Sequence, residues 1–195
     1  VNILLNRSLF LYGGDVAVSA MGIVYSILII IFMPLQGLNA GAQPIIGYNY
    51  GAKKYGRVKR TYQLAVLSGT VFVVAGFILL QLFPGLFIRI FRNEEGELLD
   101  MGVKALRICT IFLPVLAFQI ISANFFQSIG KPIQGTLLSL SRQILFYIPL
   151  LMMLPRFFGI TGVYAAMPVA DSLSVILSTI VMGLEMKRLK ALSAP

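Results

Sequence analysis

The chain has 195 residues, of which 58% are hydrophobic and only 12% charged, with 16 Lys and Arg against 7 Asp and Glu for a formal charge of +9. A soluble domain carries about twice that share of charge, so too little polar surface is present to coat a water-soluble globule. Histidine is absent, which removes the commonest metal ligand and the usual general base, and the basic residues cluster between apolar runs instead of forming the exposed stripe of a nucleic-acid binder.

A helix needs about 20 apolar residues to cross the hydrocarbon core. Residues 1–12 read as the outer part of a helix whose beginning is missing. The sequence from Val1 shows no basic n-region and no cleavage site, so Val1 is read as opening no signal peptide and the sequence as truncated upstream. Tyr12-Gly13-Gly14-Asp15 is a short turn, with Asp15 placed to cap the next run, 16–38. Runs 64–87 and 103–126 follow, separated by an acidic segment, 89–100, that holds Glu94, Glu95, Glu97 and Asp100. Gly130-Lys131-Pro132 ends one helix and starts the next, run 137–154. Residues 155–159 do the same before the last run, 162–184. No alternating ten-residue segments occur, which excludes a membrane barrel. The fold class is therefore all-α, a polytopic transmembrane helical bundle. Cys109 lies inside an apolar run with no second cysteine, and reads as a small packing residue.

Charge gives the orientation. Lys53, Lys54, Arg57, Lys59, Arg60, Lys131, Lys187, Arg188 and Lys190 all fall on one side if the helix count is right, against Arg89, Arg92 and Arg156 on the other. Basic loops stay in the cytoplasm, so the carboxy terminus is expected inside the cytoplasmic membrane and the acidic segment outside.

The stretch from Pro34 to Lys54 is unlike an ordinary spanning helix. It carries Pro34, Gln36, Gly37, Asn39, Gly41, Gln43, Pro44, Gly47, Asn49 and Gly51 within about twenty residues. Proline removes a backbone donor and crowds the preceding turn, so a bend or stop is expected here. Broken backbone at membrane depth survives only against protein or a watery cavity. Two readings follow: a helix end with a glycine-rich exit loop, or a flexible inner gate hinged at Pro34, Gly41 and Pro44, with Gln36, Asn39 and Gln43 lining a polar path.

This stretch, continuing through Tyr55-Gly56-Arg57-Val58-Lys59-Arg60, resembles the second-half signature of the multidrug and toxin extrusion (MATE) family. Phe125-Phe126-Gln127-Ser128-Ile129-Gly130-Lys131-Pro132, Ser141-Arg142-Gln143, and Gly162-Val163-Tyr164 leading to Asp171 are similar too, in the family's order. The resemblance covers nearly the whole chain. It implies that residues 1–195 form the carboxy-terminal lobe of a twelve-helix transporter, the second six-helix lobe, with its first helix truncated and the amino-terminal lobe missing. It further implies alternating access, in which H+ or Na+ drives out small cationic or amphipathic drugs, with membrane lipid and the amino-terminal lobe as partners and no cofactor. In some members a carboxylate on the tenth helix binds the coupling ion. Run 103–126 has no acid, a departure from those members.

Asp171 is the only acid deep within an apolar run, about 13 Å into the last helix at 1.5 Å per residue. A carboxylate there marks a functional site by default. Arg142 on the preceding helix lies at a comparable depth, so the two read either as a structural pair or, for Asp171, as a coupling site on the ion pathway. Gln119, Asn124 and Gln127 share a broad helix face and read as interhelical glue or, for Asn124 and Gln127, as substrate contacts; Asn2 and Asn6 are judged the same way. Arg107 is close enough to the outer surface to snorkel. Phe and Met side chains read mostly as packing, with some available as the wall of a drug chamber. A lipid-linked oligosaccharide flippase of the same superfamily would need a strongly basic cavity, whereas only Arg142 is deep; a non-transporting membrane protein is the remaining alternative. A membrane enzyme would need paired carboxylates, a His cluster or a Ser/Lys dyad at one depth, and the sequence offers none.

The charge asymmetry makes a direct prediction. In intact cells, Lys54→Cys and Lys190→Cys should be shielded from impermeant thiol reagents while Glu95→Cys reacts, and labelling at position 54 from outside would reverse the orientation.

Overall fold

The structure, a computed structural model, describes residues 1–91 and 96–192, and every regular element among them is helical. In chain order these are α1 (Asn2–Gly51), α2 (Tyr55–Leu82), α3 (Pro84–Phe91), α4 (Glu97–Cys109), α5 (Leu113–Ser128), α6 (Pro132–Leu140), a π-helical segment (Ser141–Tyr147) and α7 (Ile148–Leu192).

The 50 residues of α1 would span about 75 Å if straight, against a hydrocarbon core of about 30 Å. Glycine reduces the mismatch, leaving residues 15–51, about 56 Å of helix, beyond the break. Gly14 takes φ 65° and ψ −165°, and Gly159 within α7 takes φ 55° and ψ −137°, conformations that L side chains rarely adopt. At Gly159 the chain folds back so tightly that a Cβ on Gly162 would stand 2.4 Å from the Leu154 carbonyl oxygen. A Cβ on Gly13 would lie 2.9 Å from Ile160 Cδ1, so the two glycine turns pack together at one end of the bundle. With these breaks the described chain divides into six helical passes, 2–13, 15–51, 55–82, 97–128, 132–158 and 160–192, besides the short α3; three of its helices, or four if α4 and α5 form one bent span, are long and apolar enough to cross a membrane.

Small residues bring the passes together. Ala65, Gly69, Val73, Gly76 and Leu80 form one buried face of α2. Leu35 of α1 and Ile121 of α5 both approach Gly69, where a Cβ would meet each at 2.8 Å. Gly135 of α6 lies against α5, with room for no Cβ beside the Ala123 carbonyl. Large apolar side chains such as Ile3, Leu67, Ile133 and Phe157 face outward, where lipid rather than water is the fitting solvent.

Two expectations are corrected. The run 103–126 is not one straight span: α4 and α5 meet at a 54° bend across residues 110–112. Pro114, in the first turn of α5, cannot continue the ladder of α4. At the bend Gln81 Nε2 donates to the Arg107 carbonyl and to Thr110 Oγ1, each at 3.0 Å, while the Leu106 carbonyl keeps the Thr110 N–H at 3.1 Å and adds Thr110 Oγ1 at 2.7 Å. Conversely, α1 neither stops nor leaves helical dihedrals between Pro34 and Pro44, and continues to Gly51. Packing outweighs the lost donors: Leu35, Asn39, Ala42, Ile46 and Asn49 hold one buried face through both prolines.

The basic segments do share an end. A Cβ on Gly47 would sit 3.1 Å from the Ser128 carbonyl oxygen, and Lys131 Nζ lies 2.5 Å from Glu185 Oε2, so the ends of α1, α5 and α7 converge there. The acidic positions Glu94 and Glu95 lie outside the described residues.

The turn at Gly159 can be tested by one methyl group. Gly162→Ala forces backbone apart and should lower stability in detergent by about 1–3 kcal/mol. Gly183→Ala, where nothing lies within 4 Å, should not; equal thermal midpoints for the two would show that the close approach is dispensable.

Candidate substrate cavity

Two cavities adjoin at the π-helical segment. The first, of about 510 Å³, lies between α1, the π segment and α7, and its wall includes Tyr25, Phe32, Tyr147, Met167 and Asp171. The second, of about 390 Å³, is lined by amides: Gln36 from α1 with Gln119, Asn124 and Gln127 from α5. Phe32, Arg142 and Gln143 belong to both walls.

The shared position follows from the helix type. Ile148 N–H donates to the Gln143 carbonyl, a five-residue reach in place of the usual four, which widens the turn. The widened turn carries both Arg142 and Gln143 on the boundary between the cavities. Arg142 Nε donates to Asp171 Oδ1 at 2.6 Å, with side-chain exposures of 22% and 1%. The two residues that the sequence puts at similar depth are thus in contact, tying the π segment to the final pass. Asp171 Oδ2 is buried with no hydrogen-bond partner. Tyr147 Oη, buried near Tyr25, makes no hydrogen bond of good geometry either.

The amides divide. Gln36, Asn124 and Gln127 line the second cavity together with Gln119. Asn124 Nδ2 bonds the Ile120 carbonyl at 3.0 Å, and Gln119 Nε2 reaches the Leu138 carbonyl at 3.4 Å, so Gln119 bridges α5 and α6. Asn39 is buried and lines neither cavity, and its Nδ2 has no partner. Gln43 is exposed and also lines neither. Asn2 reaches the first cavity, whereas Asn6 is exposed. Pro34, Gly41 and Pro44 sit on one continuous helix.

Sequence reasoning gave no role to Tyr25, Tyr147 or the Lys131–Glu185 pair. The tyrosines carry no local signal, because a π turn shifts the register that a 3.6-residue period assumes. Glu185 lies just beyond the run 162–184, where its charge reads as a solvated end, yet it is 7% exposed. Among the described residues no group of three or more His, Cys, Asp and Glu could hold a metal ion.

Comparison with known proteins places these features. The chain is 26% identical over 180 residues to the multidrug export protein MepA of Staphylococcus aureus, an overlap of 90% of this chain and 38% of that one. It is 23% identical over 173 residues to MepA of Staphylococcus haemolyticus, covering 85% and 36%. The chain therefore spans well under half the length of the curated relatives it matches. Among solved structures, an inward-facing multidrug resistance MATE transporter of the MOP superfamily superposes with a TM-score of 0.90 at 20% identity, over 98% of this chain and 44% of the other. The MATE multidrug transporter DinF-BH gives 0.79 at 41% identity, over 91% and 40%. The family described as MatE matches residues 1–153, and the chain belongs to that family.

Proposed function

We propose that residues 1–195 form the carboxy-terminal lobe of an ion-coupled multidrug efflux antiporter of the cytoplasmic membrane, driven by H+ or Na+ and exporting cationic or amphipathic compounds by alternating access. The observation that carries this reading is the pair of joined cavities, one aromatic and one amide-lined, in a lobe of MatE type. A cavity of several hundred cubic ångströms walled by Phe, Tyr and Met suits varied apolar bodies, and the amides supply orientation without fixing one shape. The amino-terminal lobe supplies the opposite wall and the main coupling carboxylate, membrane lipid surrounds both, and the carboxy terminus lies in the cytoplasm. A flippase for lipid-linked oligosaccharides is disfavoured because Arg142 is the only basic side chain in either wall.

The direct test is transport by the complete protein in vesicles. A cationic dye should be exported against its gradient, and dissipating the H+ and Na+ gradients should stop it. Export that persists without either gradient would remove the coupling.

Within this scheme Asp171 and Arg142 act first as a structural pair. Breaking a buried pair at one partner typically costs about 3–5 kcal/mol, whereas replacing both with apolar groups is often near neutral. Asp171→Asn should therefore lower thermal stability in detergent, and Asp171→Leu with Arg142→Met should recover most of it. A double variant that melts with the wild type yet exports no cationic dye would assign Asp171 to coupling instead.

The inner gate is proposed at Pro34, Gly41 and Pro44, as a hinge within a helix that is continuous here. Nothing lies within 4 Å of a Cβ at Gly41, so stiffening there introduces no clash within the lobe. Gly41→Ala with Pro44→Ala should slow export strongly while leaving equilibrium drug binding within a few-fold of normal. Unchanged export would dismiss the hinge, and lost binding in a folded variant would make the segment part of the drug wall.

A further inference from the structure

We infer that Arg142 is a recognition group for an oxyanion, specifically the carboxylate of an amphipathic compound seated where the two cavities join. This inference rests on the efflux reading and names a substrate class for its cavity.

A guanidinium carries five N–H donors in a planar fork. At Arg142, Nε is committed to Asp171 Oδ1, and the two terminal nitrogens make no hydrogen bond to any described residue. Their four N–H groups belong to the side chain that lines both cavities. The charge inventory points the same way. In the second wall Arg142 is the only charged side chain, and in the first the only other is Asp171. Asp171 is 1% exposed and already engaged on one oxygen, whereas 22% of the Arg142 side chain remains accessible. The cavities therefore present a cationic donor edge, although the pair as a whole is neutral.

The surroundings complete the chemistry. Two parallel N–H groups match the two oxygens of a carboxylate, a shorter and stronger contact than a neutral hydrogen bond. Gln143 offers an amide on the shared boundary, and Tyr147 contributes to the first wall while its hydroxyl stays buried. Phe32, Tyr25 and Met167 give apolar faces for the body of the ligand. Anchoring by Asp171 fixes the fork, so little side-chain freedom is lost when an anion docks. A zwitterionic drug would thus place its carboxylate on this lobe and turn its cationic end elsewhere. The phosphate of a lipid headgroup shares part of this chemistry and is separated by the test.

The experiment uses the complete transporter in nanodiscs of neutral lipid, with 2-naphthoate and 2-naphthylmethylammonium as probes that share a ring and differ in charge. Calorimetry should show the carboxylate binding about tenfold more tightly, the scale of one charge-assisted contact. Arg142→Gln with Asp171→Asn should abolish that preference, and Arg142→Lys, which keeps charge without the fork, should weaken it. Equal affinities in the wild type overturn the proposal without reliance on any variant, and so does a preference that survives in the double variant. Loss of naphthoate binding when phosphatidylglycerol is added, with no loss in neutral lipid, would make the site a headgroup site and also overturn it. Dye export measured on the same preparation separates the two readings, because failed export with an intact carboxylate preference sinks efflux alone.

Discussion

Hydrocarbon offers no partner to a peptide group, so each backbone N–H and C=O in the membrane must be satisfied within the protein. That constraint shapes the irregularities among the described residues. Each of the two glycine turns redirects the chain within a single residue, which keeps the interrupted stretch short. At the bend between α4 and α5, Gln81 reaches across from α2 to take the Arg107 carbonyl. The π segment keeps its ladder by lengthening the reach to five residues. Departures from the straight α-helix are thus present only where a substitute donor or a glycine permits them.

The Arg142–Asp171 pair obeys the same logic at the level of side chains. An isolated charge would be expensive at this depth, and neither residue is isolated. Joining the π segment to the final pass, the pair converts two costly groups into one neutral unit and leaves the guanidinium edge directed at the cavities. The wall is therefore polar without carrying net charge.

Much of this was legible in the sequence, because a helix in lipid is written in unbroken apolar length. The passes, the Gly14 and Gly159 turns and the polar identity of Gln36, Asn124, Gln127, Arg142 and Asp171 all follow from composition and spacing. The differences between expectation and structure have a common cause. Pro34 and Pro44 read as a break from local propensity, but the buried face from Leu35 to Asn49 holds the helix together. The run 103–126 reads as one span because apolar length says nothing about direction, and only Pro114 hinted at the bend. Asn39 reads as pathway because an amide in lipid needs a partner, yet its position on the helix turns it inward. Tyr25 and Tyr147 meet the cavity only through tertiary packing and a π register, neither of which a one-dimensional pattern encodes.

The two ends of the lobe are fastened by different forces. At one end the Gly14 and Gly159 turns interlock through apolar surface, Gly13 against Ile160, a joint that salt leaves untouched and that has little freedom to slide. At the other, the Lys131–Glu185 ion pair, with side chains 15% and 9% accessible, adds to the packing of buried Met182 and Leu189 on the last pass. One end is thus fastened through apolar shape, and the other adds a charge pair that its surroundings largely shield from the salt of the adjoining water.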